Sequence, residues 1–112
     1  MSIASDIIRG HTDALILSVL VKRDSYGYDI NKTILLVSGG VYELKEATLY
    51  TAFKRLEELG LITSYWGDEN TGARRKYYSV TEKGKENYKQ MLADWQEARD
   101  IFDKLLMGEN YQ

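Results

Sequence analysis

Apolar positions first recur at helical spacing from Ile7 to Val21, where Ile7, Ile8, Leu15, Val19 and the run Ala14-Leu15-Ile16-Leu17 predict a largely buried helix. Lys22 and Arg23 close its last turn, where cations complement the helix dipole. Asp24 or Ser25 then stands as N-cap of a second helix. Its stripe is Tyr26, Ile30, Ile34 and Val37, and Gly39-Gly40 stops it. A third helix runs from Lys45 to Leu59 with Leu49, Phe53, Leu56 and Leu59 inward, and Gly60 sits where a left-handed cap belongs.

The pattern then changes. Leu61-Ile62-Thr63-Ser64-Tyr65-Trp66 and Lys76-Tyr77-Tyr78-Ser79-Val80 are β-branched and aromatic, and a polar stretch with two glycines separates them. This predicts a β-hairpin with a longer loop, Tyr77 and Tyr78 facing opposite ways. Thr81 caps a final helix from Glu82 to about Met107, nearly 40 Å long at roughly 1.5 Å per residue. The fold class is therefore mainly α with a β-hairpin. The order of elements is that of a winged helix-turn-helix, residues 1–80, followed by a long C-terminal dimerisation helix, residues 81–112. The N-terminal helix belongs to the head and also packs at the dimer.

Composition narrows the chemistry. The 112 residues include no Cys, no Pro and one His. Disulfides, zinc knuckles, iron–sulfur clusters and imidazole metal sites are thereby excluded, and no metal or other cofactor is expected. No apolar run approaches a membrane span and no signal-peptide pattern opens the chain, so a cytoplasmic protein without membrane contact is expected. His11 has no nucleophile at a recognisable spacing and the glycines form no phosphate loop, so no catalytic residues are assigned and no enzyme is expected.

The net charge of −2 looks wrong for a nucleic-acid binder until it is divided along the chain. Residues 61–80 hold three cations against two carboxylates, whereas residues 1–60 and 81–112 are net acidic. The cations are Arg74-Arg75-Lys76, just past the loop tip. They suit a wing on the phosphate backbone, or equally an edge strand guarded by charge. On the third helix Thr48, Thr51, Lys54 and Arg55 point outward with Tyr50 at the edge. They suit a major groove, or a solvated face with Lys54 paired to Glu58.

The last helix repeats Tyr88, Leu92, Trp95, Phe102 and Leu105 or Leu106 on one side, which predicts a partner helix, most simply from a second subunit. Trp95, midway along, is either plain dimer packing or a stacking surface for a planar ligand. Two rival functions stay open: a winged protein-interaction module meeting an acidic partner, and a ligand-binding dimer with no regulated DNA binding.

Leu44-Lys45-Glu46-Ala47-Thr48-Leu49-Tyr50, with Phe53-Lys54-Arg55-Leu56-Glu57 and Gly60-Leu61-Ile62 behind it, resembles the recognition-helix signature of the PadR transcriptional regulators. Tyr26-Gly27-Tyr28-Asp29-Ile30 resembles their second helix. Ser64 to Glu69, Gly72, Arg74 to Tyr78 and Thr81-Glu82-Lys83-Gly84 resemble their wing and the start of the final helix. Within the family the likeness is to small members with a single C-terminal helix, of the lactococcal multidrug-binding type. It implies a homodimeric repressor on a pseudo-palindromic operator in double-stranded DNA. It also implies a central pore where paired tryptophans hold planar drugs. Trp95 matches that tryptophan, and Ile7, Ala14, Ser18, Asn87, Tyr88 and Leu92 fall at pore-lining positions. Arg99 departs from the pattern: one turn beyond Trp95, it opposes a cationic drug unless Asp94 or Asp103 compensates. Tyr88 is also bulky and narrows the pore.

Overall fold

The computed structural model describes residues 11–67 and 74–108, so the expectations for Ile7, Ile8 and the loop tip lie outside it. The described residues form α1 (Thr12–Leu20), β1 (Ser25–Tyr26), α2 (Gly27–Val37), α3 (Glu46–Glu58), β2 (Ile62–Trp66), β3 (Lys76–Val80) and α4 (Glu82–Met107). The expected hairpin is present, antiparallel from Ile62↔Val80 to Trp66↔Lys76. It carries a third strand. Ser25 and Tyr26 pair with Tyr78 and Tyr77, giving the order β1-β3-β2.

That strand corrects the expected start of the second helix. Neither Asp24 nor Ser25 is its N-cap; Tyr26 is, in extended backbone and without a capping side chain. The Ser25 hydroxyl reaches past the cap instead and donates to Asp29 Oδ2 at 2.6 Å. Arg23, expected in the last turn of α1, lies beyond that helix. It donates to the same carboxylate at 2.9 Å and to Thr33 Oγ1 at 3.0 Å. Hydrogen bonding from Ser25, and then Arg23, holds the Asp29 carboxyl below its ordinary value against the opposing effect of partial burial. A depressed folded pKa means stability present above the unfolded value of about 3.9 and lost as pH falls through the folded one. Below about pH 4, Asp29→Asn should therefore lose less stability with acid than the parent does. Urea midpoints measured across that range check it, and parallel curves would contradict it.

Ile16, Leu17, Leu20, Ile30, Phe53, Leu56 and Ile62 form the buried centre. The Phe53 ring stacks on Tyr78 at 3.9 Å and meets the edge of Tyr50 at 5.7 Å. Tyr78 is buried and Tyr77 half-buried, on opposite faces as the alternation predicts. Two stripe residues are exposed, Leu59 at 51% and Val37 at 82%. Both sit where a helix is being turned off. Past α3, Gly60 adopts φ 75°, its N–H bonds Glu57 O, and the Leu61 N–H bonds Leu56 O at 2.9 Å. This is a Schellman cap, whose apolar contact comes from the residue after the glycine. Leu61, rather than Leu59, thus enters the core. Past α2 the same pair of bonds runs from Gly39 and Gly40, and no side chain follows to dock.

The base of α4 is fixed to the head. Thr81 Oγ1 accepts the Gly84 N–H at 3.0 Å, the cap read from the sequence, and donates to Gly60 O at 2.7 Å. Lys83 Nζ donates to Leu59 O at 2.9 Å. Tyr88 and Met91 pack against the core. Beyond them the helix continues for another four turns with its large apolar residues exposed.

Candidate nucleic-acid interface

α3 is placed by its own stripe and by α2. Asn31 grips the backbone just ahead of α3: its Nδ2 donates to Leu44 O and its Oδ1 accepts the Leu44 N–H, each at 2.7 Å. With Leu49, Ala52, Phe53 and Leu56 buried, Tyr50, Thr51 and Lys54 are exposed and Thr48 is half-buried. Arg55 is exposed but committed. Its Nε donates to Asp13 Oδ2 at 3.3 Å and its Nη2 to Asp13 Oδ1, so the carboxylate holds the guanidinium still more firmly protonated. Thr48, Thr51 and Arg55 line one side of an open groove of about 630 Å³, faced by Asp13 and Ala14 of α1 and Met91 of α4. The predicted row on α3 is therefore divided, with Tyr50 and Lys54 outside that groove.

The wing cations are exposed and each stands over an aromatic ring. Arg74 lies 5.0 Å from the Trp66 ring, Arg75 4.8 Å from Tyr26, and Lys76 5.8 Å from Tyr78. Such contacts contribute about 0.5–1 kcal/mol at exposed sites, enough to restrict a long side chain while its charge stays in water. Tyr26, Tyr77 and Tyr65 pair across the three strands as a continuous row, with centroids 5.3 and 5.6 Å apart. Tyr65 Oη donates to Asp24 Oδ2 at 2.7 Å, which raises the phenol above its ordinary value. Sequence reading missed this aromatic support. The signal was available only as two tyrosines on neighbouring strands, and their alignment depends on the register.

The expected ligand residues are not gathered by one chain. Asn87, Tyr88, Leu92, Trp95 and Arg99 lie along α4, and Arg99 stands 5.1 Å over the Trp95 ring. Asn87 donates to Lys83 O at 3.0 Å, along its own helix. On α1, Ala14 lines the large groove with Met91, while Ser18 donates to Leu15 O and lines a different groove, against α2. Trp95 lines neither groove. Among the described residues no cluster of three or more His, Asp or Glu could hold a metal, and no helix is long and apolar enough to cross a membrane.

The sequence matches the profile of the transcriptional regulator PadR-like family over residues 16–90. A transcriptional regulator from Clostridium thermocellum is 46% identical and superimposes with a TM-score of 0.84, over 92% of this chain and 97% of that one. A PadR family transcription regulator from Clostridium difficile is 37% identical with a TM-score of 0.75, over 86% of this chain and 98% of its own. The negative transcriptional regulator PadR of Bacillus subtilis is 32% identical over 80 residues. Those make up 71% of this chain and 42% of that protein.

Proposed function

The chain belongs to the PadR-like family of transcriptional regulators, and on that premise we propose that it is a homodimeric repressor whose hold on its operator responds to a planar aromatic ligand. Its partner is DNA, and its family regulates transcription rather than catalysing a reaction. Residues 1–80 are the DNA-binding head and residues 81–112 the dimerisation arm, working in the cytoplasm on a pseudo-palindromic operator. Tyr50, Thr51 and Lys54, with Thr48 at their edge, enter the major groove. Arg74, Arg75 and Lys76 take the adjacent phosphates. Arg55 joins them only by exchanging Asp13 for phosphate.

The observation that carries the reading is the unpartnered stripe of α4. Trp95 is 41%, Phe102 58% and Leu106 79% exposed, with Ile101 and Leu105 exposed between them. A monomer seldom leaves so long an apolar row in water, and a second copy of the same helix covers it with self-complementary contacts. Two paired arms then set the separation of two recognition helices, for which half-sites about 34 Å apart leave little tolerance. A ring stacked on Trp95 between the arms alters that separation, flanked by Asn87, Tyr88 and Leu92 and by Ala14 of α1, while Ser18 faces the separate groove against α2. Since Arg99 covers one face of Trp95, the ligand takes the other face. Neutral or anionic rings are preferred to cationic ones.

Sedimentation should give twice the chain mass at micromolar concentration. Titration with coumarin, a neutral planar probe, should quench tryptophan fluorescence in the parent and in Trp66→Ala but leave Trp95→Ala unquenched. A monomer, or equal quenching without Trp95, would count against the proposal.

A further inference from the structure

A second groove, of about 300 Å³, lies within the head between α1 and α2. Leu15, Val19, Ile34, Val37 and Tyr42 form its apolar walls. The three aliphatic hydroxyls that reach it are already engaged. Ser18 donates to Leu15 O at 2.6 Å, Ser38 donates to Leu35 O and accepts the Tyr42 N–H, each at 2.9 Å, and Thr33 accepts from Arg23 at 3.0 Å. The two charged residues in the lining are both cations, Lys22 and Arg23, and no carboxylate lines the groove. Arg23 is held by Asp29 at 2.9 Å. Lys22 makes no ion pair or side-chain hydrogen bond among the described residues.

An apolar slot with one uncommitted ammonium at its side complements a particular kind of molecule, one with a hydrocarbon body and a single negative charge. A cationic amphiphile meets the like charge of Lys22 there, and a neutral one leaves Lys22 without a partner. The volume stands at the lower end of the roughly 300–1,000 Å³ range of small-molecule sites, which fits a two-ring aromatic or a medium-length chain rather than a large drug. We infer that the groove between α1 and α2 binds a small amphipathic carboxylate, its apolar part against Leu15, Val19, Ile34 and Val37 and its carboxylate on Lys22 Nζ. No α4 residue lines this groove, so the site is independent of the one at Trp95. Its occupant touches α2, the helix that Asn31 ties to the start of α3, and so reaches the recognition helix without passing through the paired arms.

The test is calorimetric titration of the full chain with octanoate, which has no ring to stack on Trp95, and with octanamide as its uncharged counterpart. One octanoate per chain is expected, with octanamide at least about tenfold weaker, the difference that roughly 1.4 kcal/mol makes. Lys22→Glu, at an exposed position, should weaken octanoate by a similar factor, and Val37→Glu should exclude it from the groove. Trp95→Ala should bind octanoate as the parent does. Absence of octanoate binding at millimolar concentration would overturn the inference. So would binding that Trp95→Ala removes and Lys22→Glu leaves intact. A Val37→Glu chain that changes sedimentation while the parent ignores octanoate would assign the groove to a second copy of the chain, and equally overturn it.

Discussion

Gly84→Ala should lower folding stability by about 3 kcal/mol, the upper part of the usual range for forcing extra volume into a packed site. Helix propensity alone predicts the opposite sign, because alanine is favoured over glycine in a helix interior by up to about 1 kcal/mol. Geometry decides the contest. A Cβ at Gly84 would overlap the Leu61 carbonyl oxygen and stand 2.6 Å from Val80 Cγ2. The oxygen is backbone, and it already accepts the Thr81 N–H at 3.0 Å. It cannot retreat without breaking the joint between β2, β3 and α4. A urea midpoint equal to or above the parent's would show that the start of α4 is not seated against Leu61 as described. An intermediate result has a structural signature too: a chain that folds but splays α4 should lose the protection of the Gly84 and Lys85 amides, which bond the hydroxyl and carbonyl of Thr81.

Removing the wing charges together, by Arg74→Ala, Arg75→Ala and Lys76→Ala in one chain, should weaken operator binding on the order of 100-fold while leaving the fold intact. All three side chains are exposed, and of the rings beneath them Tyr78 is buried and Tyr26 half-buried within the head. If the cations sit on phosphates, the slope of log affinity against log salt should also flatten, by roughly 0.9 for each phosphate that is no longer neutralised. The slope separates the wing from a merely guarded strand edge, whose charges oppose aggregation but release no counterions from DNA. Unchanged affinity and slope would restrict DNA contact to α3. The same variant with affinity reduced but the slope unchanged would mean that the wing acts by placing α3.

The helical part of the fold was readable because its signals are local. Leu49, Phe53 and Leu56 repeat at helical spacing, Gly60 marks the left-handed cap, and Thr81 stands three residues before the amide it binds. What escaped was decided by residues distant in sequence. β1 is two residues long, too short for any alternation, and exists only because β3 presents Tyr77 and Tyr78 at the right height. Arg55 reads as a free cation on a helix face, and its partner Asp13 is 42 positions away. The wing behaves similarly. Its cations are plain in the sequence as Arg74-Arg75-Lys76, but that each lies over a ring follows from the register of three strands. The exposed ends of two core stripes, Val37 and Leu59, have a different origin. Periodicity continues through the last turn, whereas burial stops where the Schellman cap redirects the chain.

On the ligand side, the chemistry of Trp95 was legible and its setting was not. A tryptophan midway along an apolar stripe is visible at once, as is Arg99 one turn later. That the guanidinium lies over the indole, taking up one stacking face, required the structure. The two α1 residues expected to share the ligand divide between separate grooves, Ala14 beside Met91 and Ser18 beside α2. A second copy of the chain is what the proposed site needs to become enclosed.

Anisotropy titration of the duplex DNA upstream of the protein's own gene, at two salt concentrations, measures both halves of this mechanism in one experiment. It is run with and without coumarin at a concentration that saturates the Trp95 signal. The mechanism predicts affinity that falls steeply with salt and that coumarin shifts by at least about fivefold, the lower end of ordinary allosteric coupling. Binding that ignores salt, or equal affinity with and without saturating coumarin, would contradict it.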